Sequence, residues 1–346
     1  MAKLIGTDPN QVPTNADLGT MAYQDYDQLA PSFYAGRKNL LLNSNFTISQ
    51  RGSWTSATSV GSGAYTLDRW VTTIGSVTAT LQTRQNQTLP NGQNVNTLRM
   101  VCTSGGSGYI QIRQLFDTDI GKFCRNQPVT FSVWMRTTKT DHDGFGPSIL
   151  NPNVSWQTYG GPIIADGEWH LYKKTTTISN SAGTTAGDMA VAIQNNNTWV
   201  TGEEFEIALP QFEIGTSRSE FVYRPVHEEL LECQRYFQIY RPNRENAVYT
   251  SFANKFHMGQ LTLQGQMRTD PTATWYDGNM RFAQVGYNSV SATVANTQAH
   301  AFITTGMERQ AIHFYIDRAA GGSNPTGDGV YNSEGSTARF FLDAEL

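Results

Sequence analysis

Charge is the scarcest feature of this sequence: Asp, Glu, Lys and Arg together make up 16% of its 346 residues. Basic residues never group beyond pairs such as Lys173-Lys174, and the formal net charge is −4. A nucleic-acid surface needs clustered Lys and Arg, so that function class is set aside. No apolar stretch is long enough to span a bilayer. Met1 to Asn15 lacks the apolar centre of a secretory leader. The three cysteines, Cys102, Cys124 and Cys233, are an odd number without metal-ligand spacing. They are expected to be reduced core thiols of a protein made in a cytoplasm. A Gly-rich phosphate loop, a nucleophile elbow and a zinc pattern are also missing. No cofactor, no metal and no membrane insertion are expected.

What is plentiful points to strands. There are 31 glycines and 13 prolines, aromatics reach 11%, and roughly a third of the chain is Ser, Thr, Asn and Gln. Such a chain reads as short strands joined by turns. Its length suits two globular units and a shorter segment. Residues 1–36 form that segment. Pro9 and Pro13 cannot donate to a ladder, a short helix is expected within Ala22 to Leu29, and apolar residues are too few for a core. The segment is expected to dock on a partner through Ile5, Pro9, Val12, Pro13, Leu18 and Tyr23.

From Asn39 onward a period of two dominates. Residues 109–116, 129–136, 188–194 and 204–209 alternate, with further strands expected at Val77–Gln82, Thr97–Cys102, Val154–Tyr159 and Trp169–Ile178. About ten such strands between Gly, Asn and Ser turns predict a jelly-roll β-sandwich over residues 37–225. Pro225 with Glu228 and Glu229 opens a helix, whose apolar stripe is Val226, Leu230, Cys233 and Phe237. It is expected as a linker over 226–238. Strand-like alternation then returns over 239–346, at Gln260–Met267, Ser289–Ala295, Ala299–Thr304, Ala311–Asp317 and Ala338–Leu342. The fold class is all-β, with two β-sandwich domains and an extended N-terminal arm.

Three stretches together carry a resemblance. Asn39-Leu40-Leu41-Leu42-Asn43-Ser44-Asn45-Phe46, then Gln50-Arg51-Gly52 and Asp68-Arg69-Trp70, resemble the opening of the carbohydrate-binding-module-like sandwich of phage tail-fibre and related virion proteins. Leu209 to Gly215, with Phe221 and Arg224-Pro225, is similar to that domain's last strand and exit. Glu228 to Phe237 resembles the helix that follows it. Ile5-Gly6-Thr7 through Leu18-Gly19-Thr20 is similar to leaders of some marine-phage fibre proteins. The resemblance implies a virion location, other virion proteins as partners of the arm, host surface glycan or another receptor as a ligand, and homotrimers. Related sandwiches can hold calcium beside an acidic residue after the phenylalanine. Thr47 and Ile48 stand there, so no metal is carried over. A tail-fibre-type adhesin is the reading that follows. A head fibre or capsid-decoration protein is the alternative, and a polysaccharide depolymerase comes third.

Catalytic groups are sparse. His142 between Asp141 and Asp143 reads as a solvated turn. Glu204 and Glu206 share a strand face about 7 Å apart, between the separations of the two glycosidase classes, and are expected to be solvated, as is Glu203. The protein is not expected to be an enzyme. A binding face is better indicated. If strands 109–116, 129–136 and 188–194 lie in one sheet, alternation puts Tyr109, Gln111, Arg113, Trp134, Arg136 and Gln194 around a floor of Ala190 and Ala192. Loop aromatics Trp54, Trp156, Tyr159 and Trp199 offer a second place for a sugar to stack. Trp70 is expected in the core.

Overall fold

A computed structural model of the chain describes residues 38–140, 145–194, 198–240, 248–252, 255–262, 264, 267–269, 271–277, 279–284, 290–295, 311–317, 329–332 and 339–345. The arm with its six docking residues, His142, and the strand expected at Ala299–Thr304 lie outside the described residues.

Two antiparallel sheets face each other across one core. Sheet I runs edge to edge as β1 (Thr58–Val60), β3 (Thr78–Thr88), β4 (Asn94–Ser104), β13 (Glu204–Ile214), β7 (Pro128–Thr137) and β10 (His170–Thr177). Sheet II runs as β2 (Val71–Gly75), β6 (Tyr109–Leu115), β11 (Ala190–Gln194), β8 (Gly146–Asn151) and β9 (Ser155–Thr158). The chain passes repeatedly from one sheet to the other, as in a jelly roll. A short ribbon pairs β5 (Gly106–Ser107) with β12 (Thr198–Trp199).

Alternation explains the core. Val129, Phe131, Val133 and Met135 of β7 meet Ile110 and Ile112 of β6 and Val191 and Ile193 of β11, all fully buried. Trp70 and the thiols of Cys102 and Cys124 are buried with them. Cys233 is buried in a smaller cluster with Leu42, Ile48 and Tyr236. A short helix, α1 (Thr118–Cys124), is capped by Asp117, which accepts the Ile120 amide.

The second helix, α2 (Val226–Gln234), begins after Pro225 with Glu228 and Glu229 in its first turn. Its inward side is Leu230 and Cys233, whereas Val226 is exposed. Phe237 already belongs to a strand, so the expected apolar stripe is shorter than the sequence suggested. Beyond α2, β14 (Phe237–Tyr240), β22 (Arg339–Asp343) and β17 (Thr272–Asp277) form a three-stranded sheet. A further sheet is ordered β19 (Val290–Ala295), β18 (Asn279–Gln284), β21 (Gly329–Asn332), β15 (Val248–Phe252), β16 (Lys255–Thr262) and β20 (Ala311–Asp317). The chain is therefore all-β, with two short helices among the described residues.

The sandwich meets the later strands through buried polar groups. Asn39 accepts the amides of Leu41 and Phe212 and donates to Ser44 Oγ and the Pro210 carbonyl. Asn43, at φ 52°, donates to the carbonyls of Ile48 and Asp68 and accepts the Ile48 amide. Trp70 Nε1 donates to the Asn43 carbonyl. Arg69, at φ 72°, is 2% exposed. Its guanidinium stacks 3.6 Å above the Tyr236 ring, donates to the Leu115 carbonyl and pairs with Glu345. Arg51 lies 3.7 Å over the Phe237 ring and bridges Asp68, Asp343 and Glu345 at 3.2–3.4 Å. Tyr236 donates to Asp117, and Arg268 donates to the carbonyls of Ala344 and Glu345. Of these, Arg51, Asp68, Arg69 and Tyr236 belong to the stretches that carry the resemblance, and their observed role is at the joint; Asn39, Asn43 and Trp70 brace the sandwich itself.

Burial pushes the Asp68 carboxyl up to about 6, against the Gln50 amide and Arg51, which favour its charge. Between about pH 4 and pH 6 the folded state therefore holds a proton that the unfolded chain has released. This group's contribution to stability falls as pH rises through that window, by roughly 3 kcal/mol in total. Asp68→Asn keeps an acceptor for the Gln50 amide and cannot ionise. Urea denaturation at pH 4 and pH 7 is expected to show the variant gaining on the parent by roughly that amount.

Candidate functional site

The sandwich presents two outer faces, and they treat their polar residues differently. On sheet I the register places Arg99 opposite Glu206, and Glu206 opposite Arg136. Glu206 is 1% exposed, takes hydrogen bonds from Arg84 (2.9 Å) and Arg136 (2.7 and 3.0 Å), and receives the Thr97 hydroxyl. Glu204 pairs with Arg99. Glu203 accepts the amides of Val200 and Thr140 and lies 3.5 Å from the buried Lys139 ammonium. The expectation of solvated glutamates fails at Glu206, because two arginines and a threonine satisfy it under cover.

Trp134 and Arg136 belong to this face, not to the one holding the other predicted residues. The reason is topological: β7 lies in sheet I, while β6 and β11 lie in sheet II. A bulge in β13 between Ala208 and Gln211, with Leu209 at φ 46°, turns Leu209 onto the outer face. There Leu209 joins Leu89, Val95, Trp169 and Phe221 in a small cluster against which Trp134 packs. Arg136 stacks 4.8 Å over the Trp169 ring. Ser132 Oγ, Trp134 Nε1 and Gln211 Oε1 are buried on this face without a partner; what the structure corrects is the grouping of Trp134 and Arg136 with Tyr109, Gln111, Arg113 and Gln194.

Sheet II differs. One row crosses all five strands: Val71 faces Arg113, Arg113 faces Ala192, Ala192 faces Ser148, and Ser148 faces Thr158. One step along, Thr73 faces Gln111 and Gln194 faces Gly146. One step the other way, Leu115, Ala190, Leu150 and Trp156 lie in line. The intervening Ile110, Ile112, Ile149 and Ile193 fill the core, so these rows point outward. The floor of Ala190, Ala192, Ser148 and Gln194 is buried, while Tyr109, Arg113, Leu150, Trp156 and Thr158 are half-buried around it. At one end Gly75 lies under Tyr109: a Cβ there would sit 2.5 Å from Tyr109 Cε1, so the ring lies on bare backbone.

Three polar atoms of this face are buried and unpartnered: Thr73 Oγ1, Arg113 Nε and Gln194 Oε1. Buried polar atoms are nearly always paired, and sheet I has a comparable group in Ser132 Oγ, Trp134 Nε1 and Gln211 Oε1, so what sets sheet II apart is its aromatic rim and its Arg113, unpaired among the described residues. The three sheet II atoms supply a donor, an acceptor and a hydroxyl, flanked by a tyrosine at one end and a tryptophan at the other.

The other predicted aromatics are placed elsewhere. Trp199 is 1% exposed, between Phe145 and Phe205 at 6.0 and 6.1 Å, with the Lys139 ammonium 4.7 Å from its ring. It is a core residue, corrected from a loop aromatic because the β5–β12 ribbon folds it inward. Trp54 packs against the core and is half-buried. Tyr159 does the same, edge-on to Tyr172 at 5.5 Å. Thr73, Ser148, Leu150 and Thr158 were not expected on the face. Thr73 lies on a five-residue strand beside Thr72, so neither face stands out by its apolar content, and Pro147 masks β8, since proline argues against an interior strand.

A shallow cleft also exists at the joint, lined by Asn39, Phe221, Val222, Tyr223, Arg224 and Glu229. Arg224 there already binds Glu229 and the Asn39 carbonyl, which leaves it a seam. No group of three or more His, Cys, Asp or Glu is placed to hold a metal ion among the described residues.

No protein family model matches the chain, and no curated protein does. Among solved structures it is similar to the Stig cyclase Fisc from Fischerella sp. TAU, at 12% identity over 52% of this chain and 98% of that one, TM-score 0.33. It is also similar to the CBM22-1 xylan-binding domain of Paenibacillus barcinonensis Xyn10C, at 10% identity over 48% and 99%, TM-score 0.30. The C-terminal family 22 carbohydrate binding module of Clostridium thermocellum Xyn10B matches at 12% over 44% and 89%, TM-score 0.30. Values this low carry no functional argument, and they name both a cyclase and sugar-binding modules.

The contrast between the faces makes a prediction. Arg136→Ala leaves Glu206 buried with one arginine fewer, and it is expected to lose roughly 2–4 kcal/mol of stability in urea denaturation. Ligand binding at sheet II is expected to be unchanged, as read by titration of the folded variant.

Proposed function

We propose that this chain is a non-catalytic glycan-binding protein that holds its ligand on the outer face of sheet II, and that it serves as a tail-fibre-type adhesin of a tailed phage. The observation that carries the binding reading is the half-buried Tyr109, Arg113 and Trp156 around a floor of Ala190, Ala192, Ser148 and Gln194, with no ion-pair partner for Arg113 among the described residues. Sugars present hydroxyls along their edges and C–H groups on their faces, which match amides, guanidinium and aromatic rings on a small-residue floor. Five strands at about 4.8 Å spacing make a face about 19 Å wide, room for an extended chain of several units.

The virion assignment is supported by the sequence resemblance through Asn39–Phe46, Asp68-Arg69-Trp70 and Glu228–Phe237. In this reading residues 1–36 attach the protein to other virion proteins, 37–225 bind the glycan, and a homotrimer multiplies weak contacts into useful avidity. The non-catalytic reading is supported by the state of Glu203, Glu204 and Glu206, all engaged by backbone amides or cations.

The test is an array of purified bacterial capsular and O-antigen polysaccharides probed with the full chain. Tyr109→Ala and Trp156→Ala are each expected to weaken the recognised polysaccharide roughly tenfold. Gly75→Ala, which crowds the Tyr109 ring, is expected to weaken it without removing any contact group. Unchanged binding in all three variants would contradict the placement. Release of reducing ends from the bound polymer would contradict the non-catalytic reading.

A further inference from the structure

We infer that the sheet II face recognises an acidic glycan, one whose sugar carboxylate is held by Arg113; this rests on the glycan-binding reading above. The argument begins from a control within the molecule. On sheet I the three outward arginines, Arg84, Arg99 and Arg136, each have a glutamate partner on the same face. On sheet II, Arg113 has no ion-pair partner among the described residues, and its Nε is buried without any acceptor.

No acidic residue occupies the outward rows around it, which read Val71, Thr73, Gln111, Ala192, Gln194, Ser148 and Thr158. The described acids at the ends of these strands are engaged elsewhere. Asp117 caps α1 and accepts the Tyr236 hydroxyl. Asp188 accepts the amides of Gly183, Thr184 and Thr185. Among the described residues nothing neutralises this half-buried arginine, which can therefore take an anion from outside.

The kind of anion follows from geometry. The Nη1–Nη2 end of a guanidinium offers two parallel donors that match the two oxygens of a carboxylate. The neighbouring row carries the polar side chains of Thr73, Gln111 and Gln194, which suit a sugar's hydroxyls. A uronic-acid residue carries both functions. The chain's net charge of −4 repels polyanions at long range, so affinity for one has to come from this local arrangement.

The experiment uses the full chain and three acidic polysaccharides, polygalacturonate, alginate and hyaluronate, each beside its carboxyl-reduced counterpart, with dextran sulfate as a charge control. At least one native polymer is expected to bind, its carboxyl-reduced form roughly tenfold or more weakly. Arg113→Gln is expected to abolish that preference, and Arg113→Lys to keep part of it, with melting temperatures unchanged in both. Affinity for the native polymer is expected to fall with added salt.

Equal binding of native and reduced forms, or neutral polysaccharides bound without dependence on Arg113, would overturn the acidic assignment and leave the glycan face standing. Dextran sulfate bound with the same dependence on Arg113 would overturn the carboxylate assignment. Failure to bind any polysaccharide, here and on the bacterial array, would overturn both.

Discussion

The pairing of the Arg69 guanidinium with Glu345, buried against the Tyr236 ring, is the contact on which the rest of the structure depends. One cation ties together four stretches distant in sequence: the turn at residues 68–70, the end of β6 through the Leu115 carbonyl, the segment after α2, and the residues after β22. Burying such a charge costs several kcal/mol unless partners surround it. Here Arg51, Asp68, Asp343 and Arg268 complete the surroundings. The left-handed backbone at Arg69, unfavourable for a residue with a Cβ, persists because the side chain is held at both ends. Removing Glu345 would leave the buried Arg69 guanidinium without a carboxylate in the joint, so the sandwich and the later strands stand or loosen together.

That joint also fixes the face proposed to bind glycan. Leu115, whose carbonyl Arg69 holds, ends the strand that carries Tyr109, Gln111 and Arg113. Sheets I and II thus illustrate two uses of polar residues on an outer face. On sheet I the charges pair with each other, and a bulge covers the neighbouring tryptophan with apolar side chains. On sheet II the floor is small and the rim aromatic, and Arg113 has no acidic partner among the described residues. The first arrangement stabilises the sandwich, and the second leaves polar groups for something that arrives from outside.

Much of this was legible in the sequence, and what was not has physical causes. Strict alternation made β6, β7, β11 and β13 visible, because one face of each had to be apolar. The residues pointing away from the core in β6 and β11 followed directly. Which strands are neighbours did not follow. Alternation is local, and sheet order is set by long-range pairing, so Trp134 and Arg136 were grouped with Tyr109 and Gln194 although they lie on the opposite sheet. The strand β8 was hidden by Pro147. The burial of Trp199 was hidden by the glycines, asparagines and threonines beside it, which signal a loop without saying which way it folds. The resemblance carried by Asn39, Asn43, Asp68 and Arg69 was visible as pattern, but its structural meaning needed Glu345, about 280 residues away, to be brought beside it.

The central claim is that ligand lies on sheet II and not on sheet I. Hydrogen exchange of the full chain, with and without the polysaccharide it binds, addresses this directly. The account predicts added protection in peptides covering 109–115, 146–158 and 190–194, with 97–101 and 204–208 unchanged. Protection confined to the sheet I strands, or to the seam around Tyr223 and Arg224, would contradict it.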